Sequence, residues 1–507
     1  MEKEHREFLE EVLRFAKKQG AEYADCRLYP QAESEQIKLE NGEITTLNSS
    51  QSAGFGVRVL AQGSWGFYAT PILERAKIEE VVKRAVQSAS INATIQKEKV
   101  MLAPLAQIGV EGWPKGKVGT YRTKVEIDPF SVSLEQKLIL LASADEAMRQ
   151  ASNKAYWRIC EMSAVKTRKL FASSEGALVD QLFVETGAAV QANAKNSDGD
   201  DIQRRSYPNS HVYYMQGGYE MIQKLDLARN AAIMAQEAEQ LLQAPLASSA
   251  NTGVIILPQM LNLHIHETAH GFESDRVLGT EWTLAGGSLF TPLLPQIGTF
   301  QFGSEHVNLT ADSVTEHGVG TFGYDDEGTP AYRAPLVKNG KWVGLLTSRE
   351  TVPQLNARIG REYFTRSSGA MRADGYANWP VIRMVNILLE PGETDFEDLK
   401  ERVPEGTLMF GTNKSWSIDD VRRHFTFGTE IAWEKVQGKW EPRKNAKYYG
   451  DNLNFWRNCQ AVCDKKSFWL QGIGSCGKAD PLQTMHTGHG SSPAYFTNIQ
   501  VGSVGNL

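Results

Sequence analysis

Five cysteines among 507 residues, an odd number spread thinly from Cys26 to Cys476, exclude a disulfide framework and fit a reducing compartment. No apolar run reaches the ~18 residues a membrane-spanning helix needs, so a membrane partner is not expected. The first twenty residues are charged throughout rather than apolar, unlike a secretory signal, and the expected location is the cytoplasm. Basic residues nowhere gather into an extended run, and 54 Lys and Arg against 60 Asp and Glu leave a net charge of −6, so nucleic acid is not an expected partner. What is present is ordinary globular composition. Hydrophobic residues make up 41% and charged residues 22%, enough apolar material for sizeable cores, and the length allows about three domains.

The pattern along the chain predicts an α+β protein. Phe8, Leu9, Val12, Leu13 and Ala16 form one helical stripe that stops before Gly20. Asn41-Gly42 between apolar runs is a strong hairpin signal, residues 54–69 read as a second hairpin, and a helix is expected from Pro71 to about Ser88. These elements make an N-terminal α+β domain, residues 1–125. A middle α+β domain, 126–245, starts with a capping box at Ser133 and Gln136 before the stripe Leu134, Leu138, Leu141 and Ala142. It continues through strands over 159–192 that turn at Glu175-Gly176, and closes with a helix near 225–243. Both units place a helix before a hairpin, without residue-level periodicity between them. The remainder, 246–507, reads as a mainly β domain with one inserted helix.

That helix carries the chemistry. After the short strand Val254–Leu257 and Pro258 comes His266-Glu267-x-x-His270. Four residues turn a helix through about 400°, so the two imidazoles fall on one face and can grip one divalent ion, while Glu267 projects to a neighbouring face and reaches a metal-bound water as general base. The bland alternative is a pair of surface or core histidines. His264 falls on another face and reads as packing. A catalytic zinc site takes three protein ligands and leaves one position open, so a third donor must come from elsewhere. Cys476, between Gly474 and Gly477, is either that donor or an inert buried thiol. Glu273 and Asp275 either orient a ligand histidine or are simply solvated. Asp325, Asp326 and Glu327 form an acidic cluster that a capped turn would also explain. Arg366, Arg372 and Arg383 are candidates to contact a peptide carboxylate or backbone, or else to make surface ion pairs. His486 and His489 either line the cleft or belong to a polar loop.

Along nearly its whole length the chain resembles the TldD/PmbA family of zinc peptidases, through YADCRLY (23–29), GFGVRVLAQGSWGFYA (54–69), HIHETAHGFESDRVLG (264–279), YDDEGTP (324–330), VIRMVNILLEPG (381–392) and GSCGKADPLQ (474–483). The resemblance implies a zinc-dependent peptidase of the TldD-like, active type, with His266, His270 and Cys476 on the metal and Glu267 catalytic. It further implies small or unfolded peptides as substrates and a dimer, with an identical chain or a motif-lacking relative. A non-hydrolytic, peptide-binding partner subunit is the alternative; a structural zinc site is weaker, because such sites close four protein ligands around the ion. The family's usual motif is one residue longer, H-E-x-x-x-H. Five residues on a straight helix separate two side chains by about 140° and so need a bulge or a helix end, whereas four need neither.

Overall fold

The computed structural model describes residues 1–107, 110–111, 117–210, 212–284 and 286–503. Helix α1 (Lys3–Lys18) buries Phe8, Leu9, Val12 and Ala16 and leads into a meander of β1 (Tyr23–Glu40), β2 (Glu43–Ala61) and β3 (Ser64–Thr70). Asn41 and Gly42 both take positive φ, 50° and 83°, which is the primed turn that matches strand twist and sets Glu40 opposite Glu43. Gln62 and Gly63 repeat the device at the second hairpin.

Helix α2 (Ile78–Ala93) starts seven residues after Pro71, which corrects the expectation of a proline-led helix. Strand β3 runs to Thr70, and residues 71–74 together with a 3₁₀ turn at Arg75–Lys77 are spent reversing the chain. The helix begins only where Ile78, Val81, Val82, Ala85 and Ala89 recur toward the core. It lies tight on β3: a Cβ on Gly66 would stand 2.0 Å from the Ala85 carbonyl oxygen and 2.4 Å from the Ala89 nitrogen. Gly66→Ala is therefore expected to lower unfolding stability by about 1–3 kcal/mol through overpacking, measurable as a reduced urea midpoint at unchanged slope.

Helix α3 (Leu134–Ala151) is capped by Ser133, whose hydroxyl accepts the Gln136 N–H. Its buried face is Lys137, Leu141, Ala144, Asp145 and Met148, whereas Leu134 and Ala142 of the expected stripe are exposed. Two charged residues sit on the inward face because each has a partner: Lys137 bonds Glu35, and Asp145 bonds Arg158. Strands β4 (Ala155–Ser173) and β5 (Leu178–Lys195) form the long hairpin that turns at Glu175-Gly176, followed by β6 (Tyr213–Gln216) and α4 (Leu227–Leu241).

The C-terminal half starts with β7 (Ala250–Ile256), passes through the extended Leu257 and enters α5 (Pro258–Ala269) with proline at its first turn. Further on come β8 (Asn386–Leu389), the hairpin β9 (Trp469–Lys478) and β10 (Gln483–Ser491), and β11 (Ala494–Ser503). This half is mainly β, but it holds more than the single expected helix. Thr351–Ile359, Phe396–Arg402 and Asn452–Arg457 are helical, the last two started by Asp395 and Asp451 side chains that accept backbone N–H groups.

Two large sheets organise the chain. One, of fourteen strands among the described residues, runs β3-β2-β1-β4-β5-β6-β9-β10-β8 and continues through Leu309–Asp312, Arg333–Lys338 and Lys341–Trp342. The other, of nine strands, holds β7 between β11 and Leu408–Phe410. Helices α1 and α2 cover Cys26, Leu28, Val57 and Val59 of the first sheet. Helices α3 and α4 cover Ile37, Leu39, Met162 and Val190 farther along the same strands. The largest core contains β7, α5 and the aromatic group Phe425, Phe427, Tyr448, Phe455 and Trp456. Helix α5 packs on β8, β9 and β10 of the first sheet and on Asn413–Ile418 of the second, and every residue of it except Gln259 is buried. A helix with no watery side needs no polar stripe, so its only polar groups are those given partners or chemistry. No helix among the described residues is long and apolar enough to cross a membrane.

Candidate metal centre

Helix α5 ends at Ala269, and His270 opens a 3₁₀ turn to Phe272 while keeping helical dihedrals of φ −56° and ψ −31°. The register across the four-residue spacing is thereby preserved, and the His266 and His270 rings stand with centroids 4.9 Å apart at 84°. Cys476 lies on β9 just after a ladder irregularity between Ile473 and Cys476. Its Sγ is 3.8 Å from His270 Nε2, and one donor atom from each of His266, His270 and Cys476 lies within 4.8 Å of the others. Zinc bonds of ~2.1 Å to nitrogen and ~2.3 Å to sulfur at a tetrahedral angle put N and S roughly 3.6 Å apart, so small side-chain adjustments suffice. Two imidazoles and one thiolate are also the donor chemistry that suits zinc.

All three donors are buried. Burial and mutual repulsion with His489 and His270 hold His266 far below the usual histidine range, and burial pushes His270 down to about 4. Both rings are neutral at physiological pH and keep a lone pair for a cation. Burial raises the Cys476 thiol, opposed by the Arg383 guanidinium.

The surroundings orient these groups. His270 Nδ1 is 3.4 Å from Glu273 Oε2, leaving Nε2 directed at the sulfur. Glu273 is also held by Arg276 at 2.6 Å and by Lys478 at 3.1 Å, and Lys478 reaches Asp275 at 2.8 Å. Glu273 thus reaches a donor histidine whereas Asp275 pairs with Lys478, and Lys478, two residues after Cys476, ties the strand bearing the thiol to the segment that follows the helix bearing the imidazoles. His266 Nδ1 meets His489 Nε2 at 3.2 Å and Thr487 Oγ1 at 3.4 Å. If the three donors hold a metal, Glu273→Gln is expected to weaken its affinity about 10–100-fold by removing the charge that fixes His270, measured by competition with a chromogenic chelator.

Glu267 is buried beside the donors, and its Oε2 accepts from Arg422 at 2.6 Å. Burial raises its carboxyl above the ordinary glutamate range, with Arg422 and the Trp416 indole pulling it back. Arg422 itself has positive φ, 66°, and nothing in the sequence pattern singles it out.

The other candidates are dispersed. His264 stacks on Phe455 and Phe427 and bonds Tyr448 Oη and Asn452 Oδ1, each at 3.1 Å, so it is a core residue. His486 pairs with Glu185 and stacks on Tyr214, whereas His489 reaches the centre. Asp325 accepts the N–H groups of Glu327, Thr329 and Met371; Asp326 pairs with Lys169 of β4; Glu327 reaches Arg58 of β2. The acidic cluster is thus a buried turn that ties the C-terminal half to the first sheet. Arg366 stacks on Tyr332, and Arg372 and Arg383 are bound to backbone carbonyls.

Models of the PmbA/TldA metallopeptidase match in three segments: domain 1 over residues 29–89, the central domain over 127–243 and the C-terminal domain over 249–503. A metalloprotease of Methanothermobacter thermautotrophicus is 28% identical over 486 residues, 95% of each chain. A zinc metalloprotease TldD homolog of Saccharolobus solfataricus is 21% identical over 97% of this chain and 98% of its own. Among solved structures, TldE from Thermococcus kodakarensis superposes with a TM-score of 0.69 at 15% identity, covering 98% of this chain and all of that one, a likeness of fold.

Proposed function

Because the chain belongs to the PmbA/TldD metallopeptidase family, we propose that it is a zinc-dependent peptidase that hydrolyses peptide bonds in small or unfolded peptides, with His266, His270 and Cys476 holding zinc and Glu267 as general base. The observation that carries this reading is a buried donor set of two neutral imidazoles and one thiol, its atoms within 4.8 Å of one another, beside a buried carboxyl of raised basicity. Zinc bound there would act as a Lewis acid on a peptide carbonyl and make a nearby water more acidic.

The chain's own residues account for the rest. Glu267 takes the proton of the attacking water at a carboxylate oxygen and returns it to the departing amine. Arg422, fixed on Oε2, keeps that carboxylate in one orientation, and the low-dielectric surroundings that raise its basicity make the proton transfer more favourable. Glu273 accepts the Nδ1–H of His270 and thereby selects the tautomer whose Nε2 carries the lone pair. We place the enzyme in the cytoplasm as one half of a dimer, with an identical chain or a motif-lacking relative as partner.

The test is metal analysis joined to hydrolysis of unstructured peptides by the assembled protein. One zinc per chain is expected, with activity abolished by a chelator and restored by added zinc. Full zinc loading with no hydrolysis of any peptide in the assembled dimer would overturn the proposal in favour of a binding subunit.

A further inference from the structure

A cavity of about 510 Å³ lies between the first sheet and the segments around residues 319–325 and 371–377. None of the three donors lines it, but it abuts the strands that present them: Met485, directly opposite Cys476 in the β9–β10 ladder, is in its wall. Its size suits a ligand of a few amino-acid residues. Phe183, Phe322, Tyr376 and Met371 supply apolar surface.

The charges are unevenly matched. Arg372 lines this cavity, and its guanidinium donates only to the backbone carbonyls of Met384, His486 and Val319; among the described residues no carboxylate lies within ion-pair reach of it. The acids that share the cavity are committed elsewhere. Glu185 holds His486, Asp374 accepts the Thr484 N–H, and Asp325 takes three backbone N–H groups. Arg383, fully buried nearby, donates to the Cys476 and Gln483 carbonyls and acts on the Cys476 thiol. Arg372 is thus the guanidinium of this wall that has no carboxylate of its own, whereas Lys169, also in the wall, pairs with Asp326. A planar guanidinium at a cavity wall, held by backbone carbonyls and not by an acid, is the side chain best shaped to receive a carboxylate.

We propose that this cavity is a docking site for a peptide carboxylate, with Arg372 as its receptor and the aromatic wall taking the adjoining side chain. The peptide nature of the ligand rests on the peptidase reading above; the carboxylate preference does not. The test uses the zinc-loaded assembled protein carrying Glu267→Gln, which leaves peptides intact, titrated calorimetrically with the N-acetyl tetrapeptide Ala-Ala-Leu-Phe as free acid, as C-terminal amide, and as an amide with Asp replacing the second Ala. The free acid is expected to bind at least about tenfold tighter than the plain amide, and the Asp-containing amide to show whether a side-chain carboxylate substitutes. Arg372→Gln should erase the difference and Arg372→Lys should keep part of it. Thr167→Trp, which adds bulk to the cavity from β4, should weaken both ligands and tests the cavity independently of the arginine variants. Equal binding of acid and amide, an acid preference that survives in Arg372→Gln, or undiminished binding of both ligands by Thr167→Trp, would overturn the proposal. Failure of the unsubstituted protein to hydrolyse either tetrapeptide or any other, with the acid preference intact, would instead remove the peptidase reading and leave the carboxylate site standing.

Discussion

Glu267→Gln is expected to slow peptide hydrolysis by about 10²–10⁴-fold, the range that a positioned general base contributes, while zinc content stays at one ion per chain. The amide retains the shape of the carboxylate and can still accept from Arg422, so the donor atoms have no reason to move. It cannot take a proton, and it leaves the Arg422 cation without its ion-pair partner in a buried site. A secondary loss of a few degrees in thermal midpoint is therefore expected for the zinc-loaded protein. The decisive readout is the split between turnover and metal content: zinc and activity falling together would assign Glu267 to holding the site rather than to proton transfer.

Cys476→Ser should have the opposite signature. An alcohol oxygen is a poor substitute for a thiolate on zinc, and the two remaining imidazoles provide only part of the grip. Zinc affinity is expected to fall by at least about 100-fold, with activity lost at limiting metal and partly recovered at high zinc. The fold should survive, because the strand bearing this residue is held by its ladder to β10, by Arg383 at the Cys476 carbonyl and by the ion pairs of Lys478. Retention of tight zinc binding in Cys476→Ser would show that the third ligand lies elsewhere.

What could be read before the fold was known depended on how local the physics is. Asn41-Gly42 announces its hairpin because two adjacent positive φ angles are cheap only for such residues, and Ser133 announces a helix start through a bond to a neighbour three residues away. His266 and His270 come together through helix geometry alone. The failures are long-range. A helix start at Pro71 fails because nothing nearby says that β3 must run to Thr70 to meet Phe55. Leu134 and Ala142 look like core residues, but the inward face is chosen by Glu35 on another strand and by Arg158. Short helices such as Thr351–Ile359 have too few turns to stand out among glycine-bearing turns. At the centre, Glu267 is legible from its motif, whereas Arg422, 155 positions away, becomes visible only through the ion pair it makes. The meeting of Lys478 with Glu273 is likewise a property of the folded chain.

Apart from half-buried Gln259, helix α5 is buried along its length, with strands of both sheets packed on it. Its amide protons are expected to be among the slowest in the chain to exchange with solvent, since the helix belongs to the largest core. The two imidazoles are thus mounted on one of the last parts of the chain to loosen.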